Sequence, residues 1–310
     1  MSTSRALSYN FSKKIKNVLR SERALAYLFL LPTLIMIFAF VIIPAIWGLW
    51  VSFTPLSLVG KYAMKYDFIG LKNYIKLISD ADFYNSIKIS FIFTILSALI
   101  GQAFLGLMLA LVMREKAIKG KSIVAITVFL AWIIPEVVAG YMWGVFASRE
   151  GMMNTLLALL GMPPRNWLYD LPLETIIIAN IWRGTAFSMI LFMAALEGIP
   201  HYIYEAAEID GASWWQRFRY IILPMMAYVI LVDFILITIW TFNVFTMIFV
   251  MTGGGPGNAT ELWTIFVYRR AFQPPYEVGY ASAAANLMFL IVFLIILSYI
   301  YVSKKLRWYG

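Results

Sequence analysis

Apolar residues occur in this chain in runs of roughly 20 or more, and short segments rich in polar and charged residues separate these runs. A helix needs about 20 predominantly apolar residues to cross the hydrocarbon core of a bilayer, where its backbone must satisfy its own hydrogen bonds. The pattern therefore predicts an all-α membrane protein with six membrane-spanning helices. Their approximate limits are residues 24–53, 87–113, 122–147, 175–196, 225–252 and 281–302.

Two connecting segments have local signatures of their own. The apolar stretch at residues 152–160 is too short to span a bilayer and predicts an interfacial helix on the outer face. The run of three glycines and a proline that begins at Gly253 predicts a sharp, non-helical turn that ends the fifth span.

The composition supports a membrane location and excludes several other classes of protein. Only 13% of the 310 residues are charged, whereas soluble domains average about 25%. The chain has no cysteine, which excludes disulfides and thiolate metal sites, and its one histidine, His201, excludes a multi-histidine metal site. A net charge of +9 would suggest a nucleic-acid partner for a soluble protein. Here the cations lie mostly in short loops, so we predict membrane lipid and no nucleic acid as the partner of this charge.

The distribution of lysine and arginine predicts the orientation of the chain. About 15 of these cations lie in the N-terminal tail, the loops after the second and fourth spans and the C-terminus, against about 9 in the longer loops between. Cytoplasmic segments carry the excess of positive charge, so both termini are expected in the cytoplasm. Residues 1–23 are then a basic cytoplasmic tail, and residues 24–310 form the transmembrane domain.

The segment between the fourth and fifth spans is polar and has a distinctive spacing. It reads EAAEIDGASWWQRFRYIILP from Glu205 to Pro224. Residues 202–210 are expected to form a short helix, with Pro200 in its first turn and Gly211 as its C-cap. An aromatic cluster follows where the chain re-enters the membrane interface.

This spacing, EAA-x3-G-x9-I-x-L-P, resembles the cytoplasmic coupling loop of permease subunits in bacterial binding-protein-dependent ABC importers. In that family the helix of the loop docks into a groove of a cytoplasmic ATPase subunit and transmits its closure. The resemblance implies the type I importer permease fold, with a cytoplasmic coupling helix between the fourth and fifth spans. The residues that it assigns to ATPase coupling are Glu205, Ala206, Ala207, Asp210 and Gly211.

Three further phrases extend the resemblance over residues 24–310. IWRGTAFSMILFMAALEGIP precedes the loop, and TGGGPGNATELWTIFVYRRAF and GYASAAAN follow the fifth span. They resemble the carbohydrate branch of these importers, of the lactose, multiple-sugar and glycerol-phosphate type. This implies uptake of a di- or oligosaccharide, with an anionic ligand such as glycerol phosphate or a uronate oligosaccharide as the alternative.

The resemblance also implies the rest of an assembly in the bacterial cytoplasmic (inner) membrane. A second permease subunit forms a heterodimer with this chain, two ATPase subunits lie below, and an extracytoplasmic solute-binding protein docks above. No cofactor is expected on this chain, since ATP and Mg²⁺ belong to the ATPase. The chain's own Gly120-Lys121-Ser122 is not a phosphate-binding loop, because Glu115 stands where that motif needs its first glycine. We therefore expect a transporter subunit and not an enzyme.

Polar residues inside the spans indicate a substrate pathway, because charges at bilayer depth are costly and face protein or water. Asn180, Arg183 and Phe187 share one face of the fourth span by their i, i+3, i+7 spacing. Arg183 and Asn243 each lie about nine residues from the outer end of their span, roughly 13 Å deep, near the level at which transporters hold substrate. The resemblance places sugar contacts at Arg183, Gly184, Phe187, Ile237, Thr241, Asn243 and Val244.

Three further residues in the spans have alternatives that the sequence leaves open. Glu136 lies about 11 residues, or ~16 Å, from the outer end of the third span. One alternative is that Glu136 pairs with Arg183. The other is that Arg183 contacts the substrate or faces a water-lined cavity. Trp240, on the same pathway, is either a sugar-stacking platform or a packing residue. Asp233 is expected to act as a gate or as an interhelix hydrogen bond.

Two other classes of function compete with an importer subunit. An ion-driven secondary transporter would use Glu136 and Asp233 as proton or sodium sites, but the coupling-type loop and the lack of an obvious repeat disfavour it. An intramembrane enzyme is disfavoured because the spans contain no evident nucleophile–base pair.

Overall fold

The computed structural model describes residues 22–114 and 119–306. The predicted basic tail lies outside them, except for its last two residues at the start of the first helical segment, Glu22–Ile37. Glu115 also lies outside them. The described helices, in chain order, are α1 (residues 22–51), α2 (Lys72–Ile78), α3 (Ala81–Arg114), α4 (Lys121–Ile133), α5 (Glu136–Phe146), α6 (Met152–Leu159), α7 (Trp167–Asp170), α8 (Pro172–Glu197), α9 (His201–Ile209), α10 (Trp214–Phe242), α11 (Thr246–Thr252), α12 (Trp263–Phe272) and α13 (Val278–Leu306).

The apolar runs of the sequence become long helices. Within the described residues, α1, α3, α8, α10 and α13 are each long and apolar enough to cross a bilayer, and α4 and α5 together form a sixth, bent candidate. Short π-helical segments at Phe38–Ile42, Thr94–Gln102 and Phe218–Ile222 lie inside α1, α3 and α10 without interrupting them. The fold class is the predicted one, an all-helical membrane protein.

The predicted third span, residues 122–147, is not one straight helix. α4 and α5 meet at a bend of 109°, at Ile134 and Pro135. Proline has no N–H and disfavours the helical conformation in the residue before it, and Ile134 accordingly has an extended ψ of 129°. The depth derived for Glu136 from a straight span was therefore wrong, because Glu136 is the first residue of α5 at the bend.

The predicted fifth span, residues 225–252, is wrong at its start and in its continuity. α10 begins at Trp214, inside the segment predicted as a loop, and ends at Phe242. The chain leaves the helix at Asn243, whose Nδ2 donates to the Ile239 carbonyl at 2.7 Å, and then resumes as α11. Side chains that bond nearby backbone groups compete with helical hydrogen bonds. The depth predicted for Asn243 assumed an unbroken fifth span, so it was wrong for the same reason as the depth predicted for Glu136.

The segments that follow these two breaks pack against each other. α11 crosses α5 at Gly140, where an added Cβ would lie 2.9 Å from the Met247 carbonyl. The Val244 carbonyl, freed by the break, accepts a hydrogen bond from Thr264 Oγ1 at 2.7 Å. Irregular backbone at membrane depth is tolerated where protein satisfies it or where it lines a cavity.

The remaining spans differ from prediction only at their ends. α3 starts at Ala81 rather than near residue 87, because Asp80 caps it and accepts the Asp82 N–H at 2.9 Å. α8 and α13 extend beyond their predicted limits at both ends, and α1 ends at Val51. α9 begins at His201, so that Pro200 precedes its first turn instead of lying in it.

The loops between the spans contain more structure than the sequence pattern indicates. α6 occupies the place of the predicted interfacial helix, and Gly253 ends α11 with a φ of 59°, as the glycine-rich turn predicts. The pattern did not predict α12. Its Trp263 is fully buried and packs edge-to-face on Phe83 of α3, with ring centroids 5.3 Å apart.

Four apolar cores hold the described helices together, and the smallest, formed by Ala98, Ala103 and Ile237, lies between α3 and α10. The largest lies between α3, α5, α8 and α11, around Phe93 and Met247. A second joins α2 and the start of α3 to α12 and α13, around Trp263. The third lies beneath α9, around Phe192 and Tyr204. The first two cores hold α2, α11 and α12 against the spans, and the third attaches the loop helix to the spans.

Candidate functional site: a cavity at two helix breaks

A cavity of about 370 Å³ opens between α3, α8, the end of α10 and the bend from α4 to α5. It is lined by Gln102, Trp132, Glu136, Asn180, Arg183, Gly184, Phe187, Ile237, Trp240, Thr241, Asn243 and Val244. Every residue that the sequence assigned to the substrate pathway lies in this wall. Gln102 and Trp132 also lie in the wall and were not predicted. Gln102 carried a usable signal, since it is polar inside an apolar span, whereas Trp132 carried none.

α8 supplies one continuous strip of the cavity wall. Asn180, Arg183, Gly184 and Phe187 recur at i, i+3, i+4 and i+7, which places them on a single face of the helix. Ile176, one turn before Asn180 on the same side of α8, belongs to the largest apolar core. The helix is thus fixed at its first turns and presents the continuation of this strip to the cavity.

A glycine allows the third helix to reach this strip. An added Cβ at Gly184 would collide with the side-chain amide of Gln102, which lies directly against the α8 backbone. Gln102 Nε2 donates to the Asn180 carbonyl at 3.2 Å, and Asn180 Nδ2 donates to Ser97 Oγ at 2.8 Å. These bonds hold two neutral amides in place at the wall.

Arg183 and Glu136 form an ion pair in the wall. Arg183 Nη1 lies 3.3 Å from Glu136 Oε1, and the two side chains are 22% and 37% exposed. The bend at Pro135 brings Glu136 to the first turn of α5, where a helix N-terminus favours a carboxylate. The pair is therefore formed at the cavity surface, so pairing and cavity lining occur together rather than as alternatives.

Aromatic rings form another part of the wall. Phe187 and Trp240 meet edge-to-face with centroids 4.6 Å apart, and Trp132 lies 6.1 Å from Phe187. Trp240 is 48% exposed. It therefore packs on Phe187 and still exposes ring surface at the cavity, so the packing role is observed and the sugar-stacking role stays a prediction.

The residues contributed by the end of α10 differ in exposure. Asn243 is exposed at the break, whereas Ile237, Thr241 and Val244 are buried and reach the wall only at their edges. Ile237 and Val244 have no side-chain hydrogen-bonding group, so the polar contribution of this segment comes from Thr241 and Asn243.

Asp233 does not line the cavity. It is fully buried, and Ser188 Oγ donates to its two carboxylate oxygens at 2.9 and 3.1 Å. Of the two roles considered for it, the structure contains the interhelix hydrogen bond, between α8 and α10. Asn286 Nδ2 of α13 is buried without a hydrogen-bond partner among the described residues.

The loop helix α9 ends in the manner that the glycine spacing predicts. Gly211 has a φ of 74°, the left-handed conformation that glycine adopts without steric cost. Its N–H donates to the Glu208 carbonyl at 3.0 Å, and the Ala212 N–H donates to the Ala207 carbonyl at 2.9 Å. This is the pair of bonds of a Schellman motif, and it satisfies the last carbonyls of the helix. Trp214, Trp215 and Phe218 then form the expected aromatic cluster.

α9 is attached to the spans by one side and open on the other. Tyr204 is buried in the third core with residues of α3, α8 and α10, and the Arg114 guanidinium lies 3.6 Å above its ring. Ala207 is buried as well, so its small side chain allows close packing within this chain. The exposed residues of α9 are His201, Tyr202, Glu205, Ala206, Glu208 and Ile209.

The loop helix and the cavity are connected by the same three helices. Ala110 of α3 and Met226 of α10 belong to the core beneath α9, and Gln102 and Ile237 of these helices line the cavity. From Ala110 to Gln102 the helix rises roughly 12 Å. A displacement of α9 would therefore act on helices that also form the cavity wall.

Comparison with known proteins places the chain among transport proteins. Residues 103–308 match the family described as binding-protein-dependent transport system inner membrane component. The chain is 33% identical over 302 residues to the trehalose/maltose transport system permease protein MalF of Thermococcus litoralis, a match that covers 96% of this chain and 99% of that protein.

Solved structures of a sugar importer share the fold. A bacterial ABC transporter involved in the import of the acidic polysaccharide alginate has a chain that is 27% identical, with a TM-score of 0.79 and coverage of 96% of this chain and 99% of that one. The bacterial alginate transporter in complex with alginate pentasaccharide-bound periplasmic protein gives a TM-score of 0.80 at 25% identity, with coverage of 95% and 97%.

Proposed function

The chain belongs to the family of binding-protein-dependent transport system inner membrane components, and from this premise we propose that it is the permease subunit of an ATP-driven carbohydrate importer. The family match confirms the resemblance drawn from the loop at residues 205–224, and the alginate transporter structures confirm the type I importer fold. The chain is thus a multi-pass membrane transporter subunit rather than an enzyme. The saccharides that its relatives transport support a carbohydrate substrate.

The mixed wall of the cavity is the observation that carries the carbohydrate assignment. A saccharide presents hydroxyl groups around rings whose faces are apolar. Neutral amides and a hydroxyl suit the first feature, and aromatic rings suit the second. The residues concerned are Gln102, Asn180, Thr241 and Asn243 on the polar side, and Trp132, Phe187 and Trp240 on the aromatic side.

α9 is the site at which a separate ATPase subunit acts on this chain. Its exposed side carries two acidic residues, Glu205 and Glu208, beside two apolar ones, Tyr202 and Ile209. Its buried side is fixed by Tyr204 in a core shared with α3, α8 and α10. ATP and Mg²⁺ are held by that ATPase, and its closure moves α9 and, through these helices, the cavity wall.

The complete importer contains this chain, a second permease subunit, two ATPase subunits and an extracytoplasmic solute-binding protein. The binding protein is supported by the alginate transporter, which was solved with its periplasmic protein. Both termini lie in the cytoplasm, since α9 must face the ATPase and the lysine and arginine distribution agrees with that orientation.

Reconstituted transport tests this assignment. The chain is co-purified with its partner permease, ATPase and binding-protein subunits and placed in proteoliposomes that contain ATP. Uptake of labelled maltose, trehalose and alginate oligosaccharide is then measured. We expect ATP-dependent uptake of at least one of them. Uptake that does not need ATP would contradict the importer class, and ATP-driven uptake of other solutes without any saccharide would contradict the carbohydrate assignment.

A matched pair of variants ties uptake to the cavity. Trp240→Ala removes ring surface from the wall, and we expect it to lower uptake by roughly tenfold, the scale of one good aromatic contact. Trp50→Ala is the control, because Trp50 is also 48% exposed and also packs on a phenylalanine, Phe68 at 5.9 Å, but lies on α1 away from the cavity. Equal losses in both variants would argue against the cavity as the sugar path.

A further inference from the structure

The charges in the cavity wall balance, and from this we infer that the cavity selects a neutral saccharide over an anionic one, with Glu136 setting the selectivity. Among the described residues that line the cavity, Glu136 and Arg183 are the charged ones, one of each sign. The inference rests on the proposed function and specifies the substrate class of the same site. It also distinguishes a neutral from an acidic saccharide. The similar proteins differ on this point, because one belongs to a trehalose/maltose system and another to an importer of an acidic polysaccharide.

The carboxylate is at least as accessible to a ligand as the guanidinium. Glu136 is 37% exposed and Arg183 is 22% exposed, and both side chains belong to the wall. With 3.3 Å between Arg183 Nη1 and Glu136 Oε1, any group that reaches Arg183 from the cavity also meets the negative charge of Glu136.

The guanidinium has one edge closed to a second carboxylate and the other beside Glu136. A guanidinium binds a carboxylate bidentately through Nη1 and Nη2 or through Nε and Nη2. Nε is buried without a partner among the described residues, which closes the second geometry. The first geometry uses Nη1, so a uronate bound there would lie next to the Glu136 carboxylate.

Sugar hydroxyls fit the pair better than a carboxylate does. A hydroxyl can donate to Glu136 and accept from Arg183, so the pair offers complementary partners without requiring charge from the ligand. A uronate would instead place a second negative charge beside Glu136, and a like charge within 4–6 Å is unfavourable. Glu136 thus acts as the repulsive element that specificity requires.

The test compares an acidic trisaccharide with its neutral methyl ester and with a neutral trisaccharide. The complex of this chain with its partner permease and ATPase subunits, in nanodiscs and without binding protein, is equilibrated with trigalacturonate, its trimethyl ester or maltotriose, and binding is measured by dialysis. For the wild type we expect the ester to bind at least tenfold more tightly than the free acid, roughly the effect of one charge at this range. Glu136→Gln leaves Arg183 without its counter-ion and should shift this ratio towards the acid by a similar factor.

The variants should fall in a fixed order of preference for the neutral ester. Arg183→Gln, which leaves Glu136 alone, should show the strongest preference, followed by the wild type, the double variant Glu136→Gln with Arg183→Gln, and Glu136→Gln. Acid bound as tightly as ester by the wild type, or an unchanged ratio in Glu136→Gln, would overturn the inference. If a variant fails to assemble, the ratio of ester to acid binding in the wild type is sufficient to test the inference. Failure of the wild type to bind any of the three sugars would instead overturn the carbohydrate assignment, and the inference with it.

Discussion

Ser188 Oγ lies 2.9 and 3.1 Å from the two carboxylate oxygens of Asp233, which is fully buried. The bond joins α8 to α10 at a level between the cavity and the core beneath α9. Ile237, about one turn further along α10, lines the cavity, and Met226, about two turns back, belongs to the lower core. The two residues therefore hold together the helices through which α9 is expected to act on the cavity.

Removal of the Ser188 hydroxyl should destabilise the protein. Ser188→Ala leaves a buried carboxyl without its donor, which costs about 1–3 kcal/mol. Ser298→Ala is the control, because the exposed Ser298 hydroxyl bonds only to the Ile295 carbonyl of its own helix, and it should change stability by less than about 0.5 kcal/mol. The thermal unfolding midpoint of the purified complex measures both. Equal midpoints for the two variants would show that the bond to Asp233 contributes nothing.

Addition of a methyl group at position 184 should displace Gln102. Gly184→Ala puts a Cβ into the side-chain amide of Gln102 and breaks its bond to the Asn180 carbonyl, so we expect uptake to fall by roughly tenfold with little loss of assembly. Gly144→Ala is the matched control, since nothing lies within 4 Å of its added Cβ. The double variant Gly184→Ala with Gln102→Ala removes the collision at position 184. It does not restore the hydrogen bond from the Gln102 side-chain amide to the Asn180 carbonyl. Normal uptake in the single Gly184→Ala variant would contradict a role for the Gln102 position.

Two substitutions at Gly211 separate the effect of an added charge in the loop from the effect of replacing glycine in its backbone. Asparagine and aspartate have the same shape and tolerate the left-handed conformation better than most residues, and nothing lies within 4 Å of a Cβ at this position. Gly211→Asn should therefore retain transport, and Gly211→Asp, like Glu205→Lys, should abolish it while the binding protein still binds sugar. The measurement is ATPase activity stimulated by the loaded binding protein. Normal stimulation in Gly211→Asp would show that the loop is not the coupling element.

Single cysteines report the orientation of the chain. Gly211 and Arg165 are both exposed, and the chain has no cysteine that would give a background signal. We expect Gly211→Cys to react only from the cytoplasm and Arg165→Cys only from outside, because the excess of lysine and arginine lies on the face that carries the α9 loop. An impermeant maleimide applied to intact and to opened cells distinguishes the two. Labelling of position 211 in intact cells would reverse the orientation.

Local signals in the sequence were enough to predict the class of fold, the loop helix and most of the residues that line the cavity. Long apolar runs allow only membrane helices, because an unpaired backbone is too costly in lipid. The turn after α9 follows from Gly211, since a glycine near the end of a helix readily takes a positive φ. Arg183 and Phe187 share the cavity because the helical repeat alone places them on one face.

Contacts between distant segments decided the rest. Pro32 lies inside the helix Glu22–Ile37, whereas Pro135 coincides with a bend of 109°, so a proline in an apolar run does not by itself predict a break. That bend is what brings Glu136 to Arg183, and the pairing depends on the course of two helices rather than on any spacing in the chain. Gln102 likewise enters the wall only because Gly184 of another helix leaves room for it. Such relations are properties of packing, and packing is determined by the whole set of helices at once.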